Sequence, residues 1–313
     1  MKFKIGTRGS RLALAQSRWV KEKIEGMYPE LNVEIKVFKT TGDKILDSPL
    51  SKIGGKGLFV KEIEDALLRN EINVAVHSMK DVPVEIPGRL MFSSYPERED
   101  PRDALISKGD LGLDQLPAGS RIGTSSLRRA SQLLHLRSDL EIVSLRGNVE
   151  TRIEKMASGH VQAVILAAAG LKRLGLSARI TQFVSTDLLL PAIGQGALGL
   201  EVRRNDEWAI NILDFLNHDE TKVTVTAERA VLRKLEGGCQ VPLAAFARLD
   251  GERLYLQAMV AEIDGTRVIK DEITGKKDQA EELGVALAGR LLKSGADKIL
   301  DAVYLRDARN DGE

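Results

Sequence analysis

Arg128 and Arg129 directly follow the small, hydroxyl-bearing run Gly123-Thr124-Ser125-Ser126-Leu127. The pattern predicts the first turn of a helix. Free backbone N–H groups at such a start, helped by hydroxyls, favour an anion. Two guanidinium groups add the forked donors that suit a carboxylate or phosphate. Arg8 and Arg146 each follow a predicted strand, and Arg152 lies near the start of the next helix. One arginine is an ordinary surface charge. Arginines at corresponding strand ends, where open α/β sheets bind ligands, predict a ligand carrying several negative charges.

Two other side chains could act on such a ligand. Asp81 stands in Ala75-Val76-His77-Ser78-Met79-Lys80-Asp81-Val82-Pro83, just after an apolar strand. Pro83 keeps Val82 extended and helps to stop that strand. A carboxylate near many cations stays ionised and can accept hydrogen bonds or stabilise a developing cation. The plainer alternative is a loop aspartate paired with Lys80. Cys239 lies in Glu236-Gly237-Gly238-Cys239-Gln240-Val241-Pro242 and is the only cysteine. That count excludes an internal disulfide and a cysteine-based zinc site, and it favours a reducing compartment. A lone cysteine commonly serves as a small buried apolar residue. The preceding glycines permit a tight exposed turn, so a nucleophile or covalent attachment point is the sharper reading. His77, His135, His160 and His218 show no metal-ligand spacing, and no metal is expected.

The elements that must position these residues alternate helix and strand. Ser10 can cap a helix to about Glu25, with Leu12, Ala15, Trp19 and Ile24 near one face. Val33, Ile35 and Val37 alternate as a strand. A helix is expected from Phe59 to Arg69 and a strand from Ile72 to His77. The run Gly42 to Gly57, rich in Gly, Ser, Lys and Asp, reads as a mobile loop or lid. A second alternating block runs from about Asp103 to Leu190, with Ser125 or Ser126 and then Asn148 as helix caps. Such alternation implies a parallel or mixed sheet covered by helices. Gly194-Gln195-Gly196-Ala197-Leu198-Gly199 spells a dinucleotide fingerprint, but Leu198 to Val202 reads as a strand rather than an opening helix. The last part changes character. A helix near Thr226 to Leu235, three strands separated by Asp250-Gly251 and Asp264-Gly265, and a closing helix from Asp278 to Leu292 make a small α+β domain; the tail from Arg309 should fray.

Bulk properties narrow the class. The chain has 313 residues, enough for two or three domains, and a net charge of +1. It is not a generally basic nucleic-acid binder, so any anion site must come from local clustering. No signal core or bilayer-length apolar run is seen, so no membrane partner is expected.

Arg229 to Leu243 resembles the cofactor-attachment segment of porphobilinogen deaminases, also called hydroxymethylbilane synthases. Gly54-Gly55-Lys56-Gly57-Leu58-Phe59, His77 to Pro83, Gly123 to Arg129 and Leu145-Arg146-Gly147-Asn148 resemble further motifs of that family, in the right order. The resemblance implies an α/β fold of two periplasmic-binding-protein-like lobes plus a small α+β C-terminal domain. Lobe 1 would span residues 1–98 and 197–217, lobe 2 residues 101–192, and the C-terminal domain residues 218–313. It also implies a cytoplasmic, monomeric transferase of tetrapyrrole and haem biosynthesis. Such an enzyme joins four porphobilinogen molecules into hydroxymethylbilane on a dipyrromethane cofactor, held by a thioether. The attachment role would fall on Cys239 and the catalytic role on Asp81. Cofactor contacts would be Asp81, Lys80, Ser126, Arg128, Arg129, Arg146 and Gly147. Substrate contacts would be Arg8, Ser10, Ser78, Thr124, Ser125, Arg146, Arg152, Arg173 and Gln195, with Lys56 and Phe59 in the lid. The competing expectation is a two-lobed anion sensor or solute-binding protein, because fold alone does not fix function.

Overall fold

Lys2–Arg8 forms strand β1, whose inward residues Phe3 and Ile5 are completely buried; each such side chain contributes about 2 kcal/mol of apolar burial. The computed structural model describes residues 1–44, 57, 60–236 and 241–310. Cys239, Lys56, Phe59, most of the expected lid loop and the last three residues lie outside the described residues.

The described chain divides into two compact units. Of the described residues, the first comprises 1–44, 57, 60–99 and 196–222; the second comprises 100–195, 223–236 and 241–310. In the first, β1, β2 (Asn32–Phe38), β3 (Val74–Ser78), β4 (Leu90–Ser94) and a late strand, Leu198–Arg203, make one sheet. The strand at Leu198–Arg203 pairs antiparallel with both β3 and β4, whereas β1 runs parallel to β2 and β3. Helices α1 (Arg11–Met27), α2 (Thr41–Lys44) and α3 (Lys61–Leu68) connect the early strands. One face of the sheet carries Phe3, Ile5, Val74, Val76, Leu200 and Val202. The other carries Ala75 and Leu90, packed with Ile63, Ala66 and Leu67 of α3. The inward residues of α1 are Gln16, Ser17, Val20 and Ile24, while Trp19 is 38% exposed. The helix is therefore rotated from the face expected around Trp19.

The second unit holds two sheets. Its five-stranded sheet contains β5 (Asp103–Ser107), β6 (Arg121–Gly123), β7 (Glu141–Val143), β8 (Ala163–Ala167) and β9 (Gln182–Val184), in the order β7-β6-β8-β5-β9. Strands β6, β7 and β8 are parallel, and β5 is antiparallel to β8. Helices α4 (Leu127–Leu136), α5 (Val149–Ala157) and α6 (Ala168–Arg173) follow β6, β7 and β8. Numbering onward, the late strand of the first sheet is β10, followed by α7 (Glu207–Leu213) and α8 (Asp219–Lys234). Strands β11 (Leu243–Asp250), β12 (Arg253–Ala261) and β13 (Val268–Lys276) form an antiparallel meander under α9 (Ala280–Leu291). The chain does not close near Leu292: after Gly295, at φ +97°, α10 runs over Asp297–Asn310. The architecture is α/β, with two five-stranded mixed sheets and a small α+β C-terminal part.

Because β10 is an antiparallel strand, the Gly194–Gly199 run opens no helix, and the dinucleotide reading is excluded by context. No helix among the described residues is long and apolar enough to cross a membrane.

Candidate active site

In the first unit the site residues gather at one sheet edge. Strands β1 and β3 are parallel, so Arg8 and Ser78 end on the same side, and Leu198 at the start of β10 pairs with Ser78. Ser10 caps α1 by accepting the Ala13 N–H at 3.2 Å. Ser78 leads into a single 3-10 turn, Met79–Asp81, which the Val82 N–H closes on the Met79 carbonyl at 3.3 Å. Met79 anchors that turn: it is buried, and its N–H donates to the Ala197 carbonyl at 3.0 Å. Its sulfur occupies the space that a side chain at residue 199 would fill, which is why Gly199 is needed there. Lys80 and Asp81 remain half-buried at the surface of this pinned turn. No hydrogen bond or ion pair ties the Asp81 carboxylate to another described residue, so it is not spent on Lys80.

Behind the turn lies a polar cluster that sequence reasoning missed. His77 Nε2 sits 3.0 Å from Glu201 Oε2, both buried, and the His77 ring meets Phe92 edge-on. Glu64 from α3 is also buried. Burial, then the Glu201 charge, pushes the Glu64 carboxyl up to about 7, although His77 pulls the other way. One oxygen of each glutamate has no hydrogen-bond partner among the described residues. The period-2 pattern of β10 puts Glu201 on the α3 face, opposite Leu200 and Val202, which is the signal a closer reading could have used.

In the second unit, β6, β7 and β8 end at one edge and the antiparallel β5 begins there, so Thr124, Ser144, Ala168 and Asp103 are brought to the same side. Ser126, rather than Ser125, caps α4 by accepting the Arg129 N–H. Ser125 instead donates to the Leu145 carbonyl at 2.8 Å, and Thr124 Oγ1 accepts the Ser126 N–H at 3.2 Å. Gly147, at φ +118°, turns the chain so that Asn148 can cap α5 through the Thr151 N–H at 2.8 Å. The Gly147 carbonyl then accepts Arg152 Nε at 2.9 Å. Arg146 lies half-buried in the loop between β7 and α5, and Arg173 half-buried at the end of α6.

Arg128 and Arg129 are buried and share an internal carboxylate, Asp103, that is itself fully buried. Arg128 Nη1 donates to Asp103 Oδ2 at 2.7 Å and to the Leu190 carbonyl at 2.8 Å. Arg129 approaches Oδ1 through Nε at 3.0 Å and Nη2 at 2.7 Å, and Gln195 Nε2 donates to the same oxygen at 3.0 Å. Burial raises the Asp103 carboxyl, but Arg128 and then Arg129 overcome this and hold it well below the usual range. Burial outweighs the attraction of Asp103 for Arg128, whose guanidinium is lowered. Part of the donor capacity expected to face a ligand therefore goes to the protein's own aspartate. The clue was Asp103 at the head of the apolar run Ala104-Leu105-Ile106, since a buried carboxylate there demands a cation.

Positive charge remains in excess near Arg152. Burial, then Arg129 and Arg146, brings its guanidinium down to about 10, and no carboxylate pairs with it among the described residues. Arg128 Nε is buried without a hydrogen-bond partner among the described residues. An orphaned donor beside clustered cations fits a bound group bearing several carboxylates, as a dipyrromethane with acid side chains does. Among the described residues no group of His, Cys, Asp or Glu could hold a metal ion.

Comparison with known proteins converges on one family. Residues 3–211 match the family model described as porphobilinogen deaminase, dipyromethane cofactor binding domain, and residues 222–293 match the porphobilinogen deaminase C-terminal domain. The chain is 54% identical over 312 residues to a porphobilinogen deaminase of Geobacter sulfurreducens, covering 100% of this chain and 98% of that protein. It is 53% identical over 311 residues to the one from Geotalea uraniireducens, covering 99% and 98%. Among solved structures, a TRAP periplasmic solute binding protein from Desulfovibrio salexigens is similar at 12% identity and a TM-score of 0.43, over 71% of this chain and 74% of that one. On its two matched domains and its full-length relatives, the chain belongs to the porphobilinogen deaminase family.

Proposed function

We propose that this chain is a transferase of tetrapyrrole and haem biosynthesis that deaminates four porphobilinogen molecules and joins them head to tail into hydroxymethylbilane. The family match carries the activity. The excess of positive charge around Arg152 supports the assignment of residues. Porphobilinogen carries acetate and propionate groups, so a growing chain accumulates carboxylates that Arg146, Arg152, Arg173 and Arg8 can neutralise. Ser10, Ser78, Thr124, Ser125 and Gln195 supply neutral polar contacts to the same substrate. Asp81, which no hydrogen bond or ion pair ties to another described residue, opposes the positive charge left on the substrate carbon as ammonia departs and accepts from pyrrole N–H groups. Lys80, Ser126, Arg128, Arg129, Arg146 and Gly147 hold the cofactor with Asp81. The dipyrromethane, attached to Cys239 by a thioether, supplies the primer on which the product is built. Lys56 and Phe59 belong to a lid. The reading includes three domains, a cytoplasmic location and a monomer.

The test is consumption of porphobilinogen with release of ammonia by the purified protein. Asp81→Ala should nearly abolish turnover while leaving the thermal unfolding profile intact. Wild-type rates in that variant refute the role of Asp81. Tight, reversible carboxylate binding without porphobilinogen consumption would refute the transferase reading in favour of a sensor.

A further inference from the structure

Glu228, on α8, lies wholly inside the fold at 0% exposure. Its Oε2 accepts the Gly194 N–H at 2.7 Å, and its Oε1 accepts the Ala247 N–H at 2.9 Å. Ala247 belongs to β11, one of the two outer strands of its sheet. Cys239 falls in the sequence between α8 and β11. One buried carboxylate thus grips the helix before the cysteine and the strand after it, and ties both to the turn at Gly194.

That turn is fixed on its other side as well. Ile193 packs into the apolar core of the C-terminal sheet with Val231, Leu235 and Val241. Gln195 is 1% exposed and donates through Nε2 to the Pro101 carbonyl at 2.7 Å and to Asp103 Oδ1 at 3.0 Å. It also accepts from Arg129 Nη2 at 3.4 Å. Three consecutive residues therefore join the elements flanking Cys239 to the aspartate that orients the arginine pair.

We propose that Glu228 is a positioning residue for the cofactor: it sets the frame around the attachment cysteine relative to Arg128 and Arg129, through Gly194, Gln195 and Asp103. This rests on the reading above that a dipyrromethane is attached at Cys239 and held by those arginines. A group tethered covalently at one end and by its carboxylates elsewhere satisfies both only if the two frames keep a fixed relation. A buried carboxylate accepting two backbone N–H groups is a stiff link, because neither donor has another use once sealed from water.

The test compares Glu228→Gln with wild type, each with Cys239 intact and with Cys239→Ser, in the full-length protein. The amide keeps the shape but can accept only one of the two N–H groups. Intact mass reads the share of molecules carrying the two-pyrrole adduct. The Tm difference between the Cys239 and Cys239→Ser backgrounds reads how well the cofactor is held. The expected result is a Tm increment reduced to less than about half of the wild-type value, with an adduct share at least about twofold lower. A merely structural role lowers both backgrounds in parallel and leaves increment and adduct share at wild-type values, which overturns the proposal. Should Glu228→Gln fail to fold, Glu228→Asp, which keeps the charge but reaches only one N–H, carries the same comparison and the same two outcomes. Absence of the adduct from wild type itself refutes the cofactor reading, and this inference with it.

Discussion

Replacing Glu64 with glutamine should make the protein more stable at alkaline pH. Glu64 is 8% exposed and faces Glu201, His77 and Asp65. Burial and then the Glu201 charge raise its carboxyl from 4.5 to about 7. A carboxyl raised on folding contributes its full share of stability below the unfolded value. That share is lost as pH climbs through the folded value. At about 1.4 kcal/mol for each pH unit of displacement, the loss is about 3 kcal/mol between about pH 4.5 and pH 8. Glutamine keeps the shape and carries no charge at any pH. Thermal unfolding of wild type and Glu64→Gln near pH 5 and near pH 8.5 checks this. The variant's Tm should gain about 6–12 °C relative to wild type on going from acid to base, at about 2–4 °C per kcal/mol for a unit of this size. A Tm difference that stays constant across that range would show that Glu64 does not change charge in the folded protein, and the account of the cluster would be wrong.

Further outcomes follow from the second unit. Asp103→Ala leaves two buried guanidinium groups without their carboxylate and should cost about 3–5 kcal/mol in denaturant unfolding; a loss under about 1 kcal/mol contradicts the pairing. Because the Asp103 carboxyl is depressed, its stabilising contribution is present above the usual aspartate range and is lost only as pH falls through its lowered value. Unfolding at neutral and mildly acidic pH should therefore show no midpoint change that Asp103→Asn removes. Arg152→Gln relieves like-charge crowding with Arg129 and Arg146. It should leave Tm equal or higher in the Cys239→Ser background while raising KM for porphobilinogen about tenfold or more; a fall in Tm with unchanged KM contradicts a ligand-facing cation. Ser126→Ala removes the α4 cap and should cost about 1 kcal/mol, read as a lowered denaturant midpoint.

Local chemistry was the legible part. Ser10, Ser126 and Asn148 behave as helix caps because short oxygen-bearing side chains must satisfy the N–H groups that open α1, α4 and α5. The arginines and Asp81 were singled out because strand ends in a βα pattern share an edge within each sheet, and β1 and β3 in one sheet and β6, β7 and β8 in the other run parallel as that rule requires. What failed depended on distant partners or on phase. Asp103 meets Arg128 and Arg129 across about 25 residues of intervening chain, and no local pattern announces that meeting. Glu201 and His77 are 124 residues apart in sequence and meet only because β10 returns beside β3. Trp19 was misplaced because a large apolar residue outweighed the small inward positions Gln16 and Ser17 in the helical count. The closing helix expected to end at Leu292 does lose regular geometry at Gly295, but the chain resumes as α10 because Ile299, Leu300 and Val303 still have a core to fill.

The central claim is a cysteine-tethered polyanionic primer held by arginines in an enzyme of this family. Intact-protein mass of the purified chain tests it most directly. Wild type should exceed its sequence mass by two pyrrole units, and Cys239→Ser should match its sequence mass with nothing added. An active wild-type protein at its bare sequence mass would contradict the account.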